Sequence, residues 1–214
     1  MGLVAVAAGL IMFGLMLSPF GELLEGTLVT NLTVQHFFFL AAGVLFAYGI
    51  ESSMLVASRL SSKASRARAL MGKVNLTVNK YGLLTFLVAV ALIAFWYMPA
   101  EFDAATTIAY IHLEMNITML VSGGLIFVGS RFLSKGMKLI APIVAGKVMG
   151  LYGSFLLLTP LTIYAAYPIY EQAEAGIVMI FLMLGLDFII VPVWLYGYFG
   201  KNPPARRVVD FSQS

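Results

Sequence analysis

The stretch GIVMIFLMLGLDFIIVPVWLYGYF, residues 176–199, contains one acidic residue, Asp187, and no basic residue. A helix of about 20 apolar residues is long enough to cross the hydrocarbon core of a bilayer. The stretch is apolar on nearly all sides, whereas a helix of a soluble protein keeps a polar face. Backbone amides cannot remain unpaired in lipid, so the stretch predicts a transmembrane helix.

The rest of the chain has the same character. Of its 214 residues, 61% are hydrophobic and 11% are charged, and the mean hydropathy is +0.95. Soluble domains carry about 25% charged residues. Six apolar stretches predict an all-α integral membrane bundle of six transmembrane helices in a single domain, residues 1–200. The predicted spans are residues 3–20, 34–50, 81–98, 108–129, 148–167 and 176–199.

The distribution of charge predicts the orientation of these spans. With six spans, all 13 lysines and arginines fall on one side, in a basic loop at residues 51–80, in the segment after the fourth span and in a tail at residues 201–214. Basic segments stay in the cytoplasm, so both termini are predicted to be cytoplasmic in a multi-pass protein of the cell membrane. The positive net charge is then a topology signal, and no nucleic-acid partner is expected. The opposite side carries only the acidic residues Glu22, Glu25, Glu101, Asp103, Glu171 and Glu174.

Spans two and four align without a gap when Gly43 is placed on Gly123. Small residues at matching positions allow close approach of neighbouring helices. Both spans run in the same direction, so the match predicts a parallel repeat, although four identities in apolar sequence also arise by chance. The identical pairs are Leu40 and Leu120, Gly43 and Gly123, Leu45 and Leu125, and Gly49 and Gly129.

The two histidines, His36 and His112, lie near the outer ends of spans two and four, and Glu114 lies beside His112. Ionisable residues inside membrane spans are costly and usually functional. The spacing leaves three interpretations open: hydrogen bonds between helices, axial ligation of haem b, and binding of a metal ion.

Methionine adds a second signal for a metal. Met115 and Met119 share a helix face with His112, and Met179 lies in the last span. Thioether and imidazole ligands together suit Cu(I), although methionine in a membrane helix also packs without binding a metal. The candidate copper ligands are therefore His36, His112, Glu114, Met115, Met119 and Met179.

Asp187 lies near the middle of the last span. A carboxyl group at this depth either forms a hydrogen bond to a neighbouring helix or takes part in proton or ion transfer. The chain contains no cysteine and no His-Glu-x-x-His, Gly-Lys-Ser/Thr or Gly-x-Ser-x-Gly motif. The sequence therefore predicts a protein that is not an enzyme.

The stretch EQAEAGIVM, residues 171–179, resembles the Asp-Gln-x-x-Gly-Gly-x-x-Met signature of the CtaG-type cytochrome c oxidase assembly factors. It is also similar to related, largely uncharacterised archaeal membrane proteins. Gln172 and Met179 match the signature, as does Gly176, whereas Glu171 replaces its aspartate. The resemblance implies a role in building a haem–copper respiratory oxidase, through delivery of copper on the outer side of the membrane.

The Gln35-His36 pair and His112 fall where this family has histidine-bearing helices. The family has two histidines four residues apart where this chain has Leu32 and His36, and the later helix has His112 and Asn116. A thinner set of imidazoles also suits a non-catalytic accessory subunit of a terminal oxidase or copper monooxygenase. The expected partners are the lipid bilayer and other membrane subunits of such a complex.

Overall fold

The computed structural model describes residues 1–78 and 83–199, and every regular element within them is helical. This confirms the predicted all-α class; the predicted tail, residues 201–214, lies outside the described residues. Two π-helical turns, Thr30–Gln35 and Leu186–Ile190, lead into α3 and join α9 to α10. The α-helices of the described chain are α1 (Gly2–Met16), α2 (Pro19–Glu25), α3 (His36–Leu60), α4 (Ser62–Val78), α5 (Leu83–Trp96), α6 (Pro99–Thr107), α7 (Ala109–Phe132), α8 (Lys135–Leu158), α9 (Ile169–Gly185) and α10 (Val191–Phe199).

Four helical segments of the described chain are long and apolar enough to cross a membrane: Thr30–Leu60, Ala109–Phe132, Gly136–Leu158 and Ile169–Val193. Two further pairs, α1 with α2 and α5 with α6, pass the same test together but are bent by 62° and 68°. The described chain thus has four spanning candidates, or up to six if each bent pair makes one crossing. Helices of this length and composition indicate a membrane protein.

Prolines mark both bends. Pro19 and Pro99 begin α2 and α6. A proline has no backbone N–H and fits the first turn of a helix, so a new helix starts there. The first and third predicted spans therefore end early, at Met16 and Trp96, while the predicted start of the third, Tyr81, lies outside the described residues.

The second predicted span, residues 34–50, is part of the longer helical segment Thr30–Leu60. Glu51 does not end it, because its carboxylate pairs with the guanidinium of Arg131 at 2.6 Å. The basic segment predicted at residues 51–80 is largely helical, since it contains the end of α3 and the whole of α4; residues 79 and 80 lie outside the described chain. Alanine, leucine, lysine and arginine are frequent in α4, and all favour helix.

The fifth predicted span, residues 148–167, is displaced toward the C-terminus by comparison with the structure. α8 covers Lys135–Leu158, and residues 159–168 contain no regular helix. Counting apolar residues placed Lys147 in a loop, but it lies inside α8, where its ammonium pairs with the carboxylate of Asp187. A paired charge is far less costly than a lone one in apolar surroundings, so this lysine does not interrupt the helix.

The helices α1–α3 and α5–α7 have the same architecture. Each set contains a helix, a sharp bend at a proline, a short second helix and a long third helix. We call residues 2–60 the first unit and residues 83–132 the second unit. The alignment that places Gly43 on Gly123 also places Pro19 on Pro99, the two prolines at the bends. The repeat predicted for spans two and four therefore extends over three helices.

The two units bury equivalent positions. In the same alignment, every buried residue of α7 falls on a buried residue of the first unit, although only the two glycine pairs are identical. Helix packing thus preserves the repeat where side-chain identity does not. The buried pairs are Gln35 and Met115, His36 and Asn116, Phe39 and Met119, Ala42 and Ser122, Gly43 and Gly123, and Gly49 and Gly129.

Glycines bring α3 and α7 into backbone contact. A Cβ atom at Gly43 would lie 1.9 Å from the carbonyl oxygen of Leu120, and one at Gly123 would lie 2.0 Å from that of Leu40. The alignment pairs the two glycines with each other and the two leucines with each other, so the two contacts are equivalent. The helices therefore pair about a local pseudo-twofold axis, along a surface that we call the seam.

α8 and α9 form an antiparallel hairpin in which a Cβ at Gly153 would lie 2.7 Å from the carbonyl oxygen of Gly176. The sixth predicted span begins earlier than expected, at Ile169, and continues through the second π-helical turn into α10. The loop of this hairpin, residues 159–168, meets both proline bends at one end of the bundle. We call this the acidic end, after the acidic residues that it carries.

Candidate functional site

A carboxylate from the first unit meets a histidine from the second unit at the acidic end. Glu25 closes α2, and its Oε1 lies 3.0 Å from Nε2 of His112 on α7. The Gln35 side chain donates to the same carboxylate oxygen at 2.6 Å, and the Tyr167 hydroxyl donates to the Glu25 carbonyl at 3.0 Å. His112, a predicted metal ligand, is therefore engaged by Glu25.

This pair borders a cleft of about 340 Å³ between the first bend and the start of α7. Ser18 and Glu22 line it from the first unit, and Thr106 and Thr107 from the second. The cleft gives the Glu25 carboxylate and the His112 imidazole an opening at the surface of the acidic end.

Tyrosine hydroxyls fasten the hairpin loop to both units. Tyr97, at the second bend, donates its hydroxyl to the carbonyl of Leu32 at 2.7 Å. Its own carbonyl accepts hydrogen bonds from Tyr164 at 3.0 Å and from Tyr152 at 3.2 Å, and these two hydroxyls also bond to each other. Burial raises the pKa of Tyr164 well above its usual value, so this loop hydroxyl stays protonated and donates.

Both polar residues of the family-like motif hold backbone amides. Glu171 is 8% exposed, and its Oε2 accepts a hydrogen bond from the Leu28 amide at 2.8 Å. The Gln172 side-chain oxygen accepts from the Ile163 amide at 2.7 Å. These contacts shape the acidic end from within, and neither residue was assigned this role from the sequence.

Asp103 holds the same loop from the second unit. Its two carboxylate oxygens accept hydrogen bonds from the amides of Ala165 at 2.8 Å and Ala166 at 3.1 Å. The two units therefore hold the hairpin in opposite ways. The first unit supplies a backbone amide as a hydrogen-bond donor, and the second unit supplies a carboxylate as an acceptor.

His36 is buried without a hydrogen-bond partner among the described residues. Its side chain is about 1% exposed, and both ring nitrogens lack a partner. The rings of Tyr97 and Phe102 pack edge-on against it, with centroid distances of 5.5 Å and 6.0 Å. An unpaired buried polar group costs about 1–3 kcal/mol and is rare in native proteins. This imidazole therefore marks a place where a ligand or a water would be held.

Asn116 occupies the equivalent position in the second unit and shares the deficiency. It is fully buried, and neither its side-chain nitrogen nor its oxygen has a partner in the described chain. Ser122 is another buried polar residue of α7, and its hydroxyl donates to the Thr118 carbonyl at 2.8 Å. Equivalent unpaired groups on α3 and α7 point to a common polar site.

All three of the predicted methionine ligands are buried. Met115, Met119 and Met179 are each at most 1% exposed and belong to the apolar cluster that contains Phe102, the residue packed against the His36 ring. Glu114, also a predicted ligand, is exposed. The structure groups the three methionines in one buried cluster and leaves Glu114 outside it.

The donor set suits a soft metal ion. Across residues 1–78 and 83–199, no three histidine, cysteine, aspartate or glutamate side chains converge to hold a metal. The unpaired imidazole of His36 and the buried thioethers of α7 and α9 are of the ligand types that Cu(I) accepts. Their chemistry is compatible with copper in its reduced state, and the copper site stays a prediction.

Haem b held between the two histidines stays a prediction. The rings of Tyr97 and Phe102 pack edge-on against the His36 ring. His112 meanwhile directs Nε2 toward Glu25. These contacts would have to change before the two imidazoles could bind a haem between them.

Asp187 is explained by a partner on the neighbouring helix. Its carboxylate pairs with the Lys147 ammonium of α8, and the Asp187 side chain is 18% exposed. The contact favours the interpretation of Asp187 as a link between helices over a role in ion transfer. A membrane helix tolerates such a pair better than either charge alone.

Sequence reasoning missed part of the polar network. Glu25 was counted only as an outer charge, and the amides of Asn31 and Gln35 were not assigned to the site. Asn31 donates to the Tyr167 hydroxyl at 2.9 Å and is fully buried. The available signal was the i, i+4 spacing of two amide side chains at the edge of an apolar span, which places them on one helix face.

The chain was compared with models of known protein families, with curated proteins and with solved structures, and no match was found.

Proposed function

We propose that this chain is a multi-pass protein of the cell membrane that handles copper at its acidic end while a haem–copper respiratory oxidase is assembled. Each bent helix pair makes one of six crossings, and both termini are cytoplasmic. The basic residues that follow α3 and α7 support this orientation, because basic segments stay in the cytoplasm. The acidic end then faces outward.

The observation that carries the proposal is the unpaired imidazole of His36. A fully buried ring with neither nitrogen satisfied is unstable unless something binds it. A hard cation that needs several carboxylate ligands is not favoured, because no such cluster exists in the described residues. A soft, weakly hydrated cation is the ligand class that an imidazole and thioethers select together.

Copper is the cargo in this proposal. His36 would bind it through one ring nitrogen, and Met115, Met119 and Met179 would supply thioether ligands. Thioethers release Cu(I) more readily than thiolates do, since they carry no charge, and this suits a protein that passes the metal on. The Glu25–His112 pair at the open cleft lies on the exposed side of the site.

The resemblance of residues 171–179 to the CtaG-type factors supports the link to an oxidase. Glu171 and Gln172 brace the acidic end through the amides of Leu28 and Ile163. Hydrogen bonds of this kind would keep the backbone around a buried copper site in place. The accessory-subunit hypothesis has no comparable contact in its favour.

The test is copper binding by protein purified in mild detergent under reducing conditions, measured by competition with a chromophoric Cu(I) chelator. The wild-type protein is expected to bind one Cu(I) per chain. His36→Leu should weaken binding at least tenfold, which corresponds to about 1.4 kcal/mol. His36→Met has a similar size and keeps a soft ligand, so it should retain most of the affinity.

Met98→Leu is the matched control, because Met98 is 56% exposed and lies at the second bend outside the buried cluster. In the native membrane, His36→Leu should lower the copper content of the oxidase, whereas Met98→Leu should not. Equal Cu(I) binding by wild-type and His36→Leu protein would refute the proposal. A wild-type preparation without copper affinity but with oxidase subunits in fixed ratio would favour an accessory subunit instead.

A further inference from the structure

The register of the seam makes positions 36 and 116 equivalent on helices that touch. α3 and α7 touch where Gly43 and Gly123 cross, and both helices run in the same direction. Further along the seam, the rings of Tyr48 and Phe127 lie 6.1 Å apart, so near-equivalent positions still face each other there. Positions 36, 40 and 43 are spaced i, i+4 and i+7 and share one helix face, as do 116, 120 and 123.

His36 and Asn116 occupy equivalent positions on the acidic side of the glycine crossing. At most 1% of either residue is exposed, and all four of their polar side-chain atoms lack partners in the part of the chain that the structure describes. Two unrelated packing faults would not be expected at positions that the repeat makes equivalent. A shared site explains both.

We infer that Asn116 positions the imidazole of His36 for copper: its side-chain oxygen accepts the N–H of one ring nitrogen while the other ring nitrogen faces the metal. This inference deepens the proposed copper function and rests on it. A metal-bound histidine regularly donates its second nitrogen to a carbonyl or carboxylate, which fixes the tautomer and the orientation of the ring.

The chemistry of the two side chains favours this division of roles. An amide oxygen is a hard ligand and a poor one for Cu(I), but it is a good acceptor for a neutral N–H donor. No hydrogen bond joins Asn116 to His36 among the described residues, so the contact would form as the ring turns toward copper.

The experiment separates positioning from structural support by measuring stability and affinity on the same variants. Asn116→Leu has a similar volume and removes two unpaired polar atoms, so the metal-free protein should unfold at the same or a higher temperature than wild type. Its Cu(I) affinity should nevertheless fall about tenfold. Asn116→Asp restores an acceptor and should bind within about threefold of wild type.

Ser122→Ala is the control, because Ser122 is buried on the same helix and its hydroxyl already donates to the backbone carbonyl of Thr118. It should leave the Cu(I) affinity unchanged. Wild-type affinity in Asn116→Leu, with reduced affinity in His36→Leu, would overturn the role of Asn116 and leave the copper function standing. Wild-type affinity in both variants would overturn the copper function itself.

Discussion

The first and second units share a backbone plan but differ in the side chains they present at the acidic end. Each unit carries one histidine, but at different members of two equivalent sites: Leu32 and His36 in the first, His112 and Asn116 in the second. His36 is buried and unpaired, whereas His112 is half-buried and paired with Glu25. The two units therefore pack alike but carry different side chains near the outer ends of α3 and α7.

The difference also gives each unit a distinct task. The first unit contributes the unpaired imidazole to the seam and the carboxylate of Glu25 to the cleft. The second unit contributes His112 to the cleft and Asn116 to the seam. Each site is therefore built from both units, and neither unit by itself contains a complete one.

The largest effect is expected where the two units touch. Gly43→Ala and Gly123→Ala each place a methyl group about 2 Å from a carbonyl oxygen of the other helix, so α3 and α7 must separate. Overpacking of this kind costs roughly 3 kcal/mol, which lowers the unfolding temperature by about 6–12 °C. Thermal unfolding in detergent should show equal losses for the two variants, because the contacts are equivalent.

Gly124→Ala is the control for this comparison. Its methyl group would meet the Gly43 carbonyl oxygen at 3.7 Å, which is ordinary contact, and alanine favours helix over glycine. The unfolding temperature should be unchanged or slightly higher. A loss as large as that of Gly43→Ala would contradict the pseudo-twofold seam.

A smaller effect is expected where each unit holds the hairpin. Glu171→Ala leaves the buried amide of Leu28 without a partner and should cost about 1–3 kcal/mol, whereas Glu171→Gln keeps an acceptor and should cost less. Asp103→Ala removes exposed hydrogen bonds and should cost about 1 kcal/mol. The measurement is denaturant-induced unfolding. Glu174 is exposed on the same helix as Glu171, so Glu174→Ala is the control.

The outcome distinguishes which unit dominates docking. If Asp103→Ala lowers the free energy of unfolding more than Glu171→Ala does, the second unit holds the hairpin more strongly than the first. The buried hydrogen bond of Glu171 would then contribute less than its geometry indicates. No change from either variant would mean that apolar packing alone fixes the hairpin.

The smallest effect is expected at the bends themselves. Ser18 caps α2 by accepting a hydrogen bond from the Phe20 amide at 3.2 Å, whereas Met98 has no side-chain cap at the equivalent position. Met98→Ser should therefore stabilise the second bend by about 0.5–1 kcal/mol, and Ser18→Ala should weaken the first by a similar amount. Thermal unfolding of Met98→Ala, which has no capping oxygen, checks that the gain comes from the hydroxyl.

Apolar composition predicted much of the fold but misplaced several helix ends. The span at residues 108–129 coincides closely with α7, because no proline interrupts the apolar stretch and its charged residues lie near its ends. The span at residues 148–167 was displaced because Lys147 looked like the end of a loop. A sequence does not show that a charge has a partner on another helix, here Asp187, and so it misjudges where a helix can continue.

The sequence by itself determined that this chain is helical and apolar enough for a membrane, because backbone amides in lipid leave no other choice. It also indicated an internal repeat through Gly43 and Gly123, although four identities in apolar sequence did not establish one. Only the tertiary structure decided that His112 meets Glu25 while His36 and Asn116 stay unpaired on the seam. Those relations depend on how separate helices pack in three dimensions, and local sequence patterns do not record that packing.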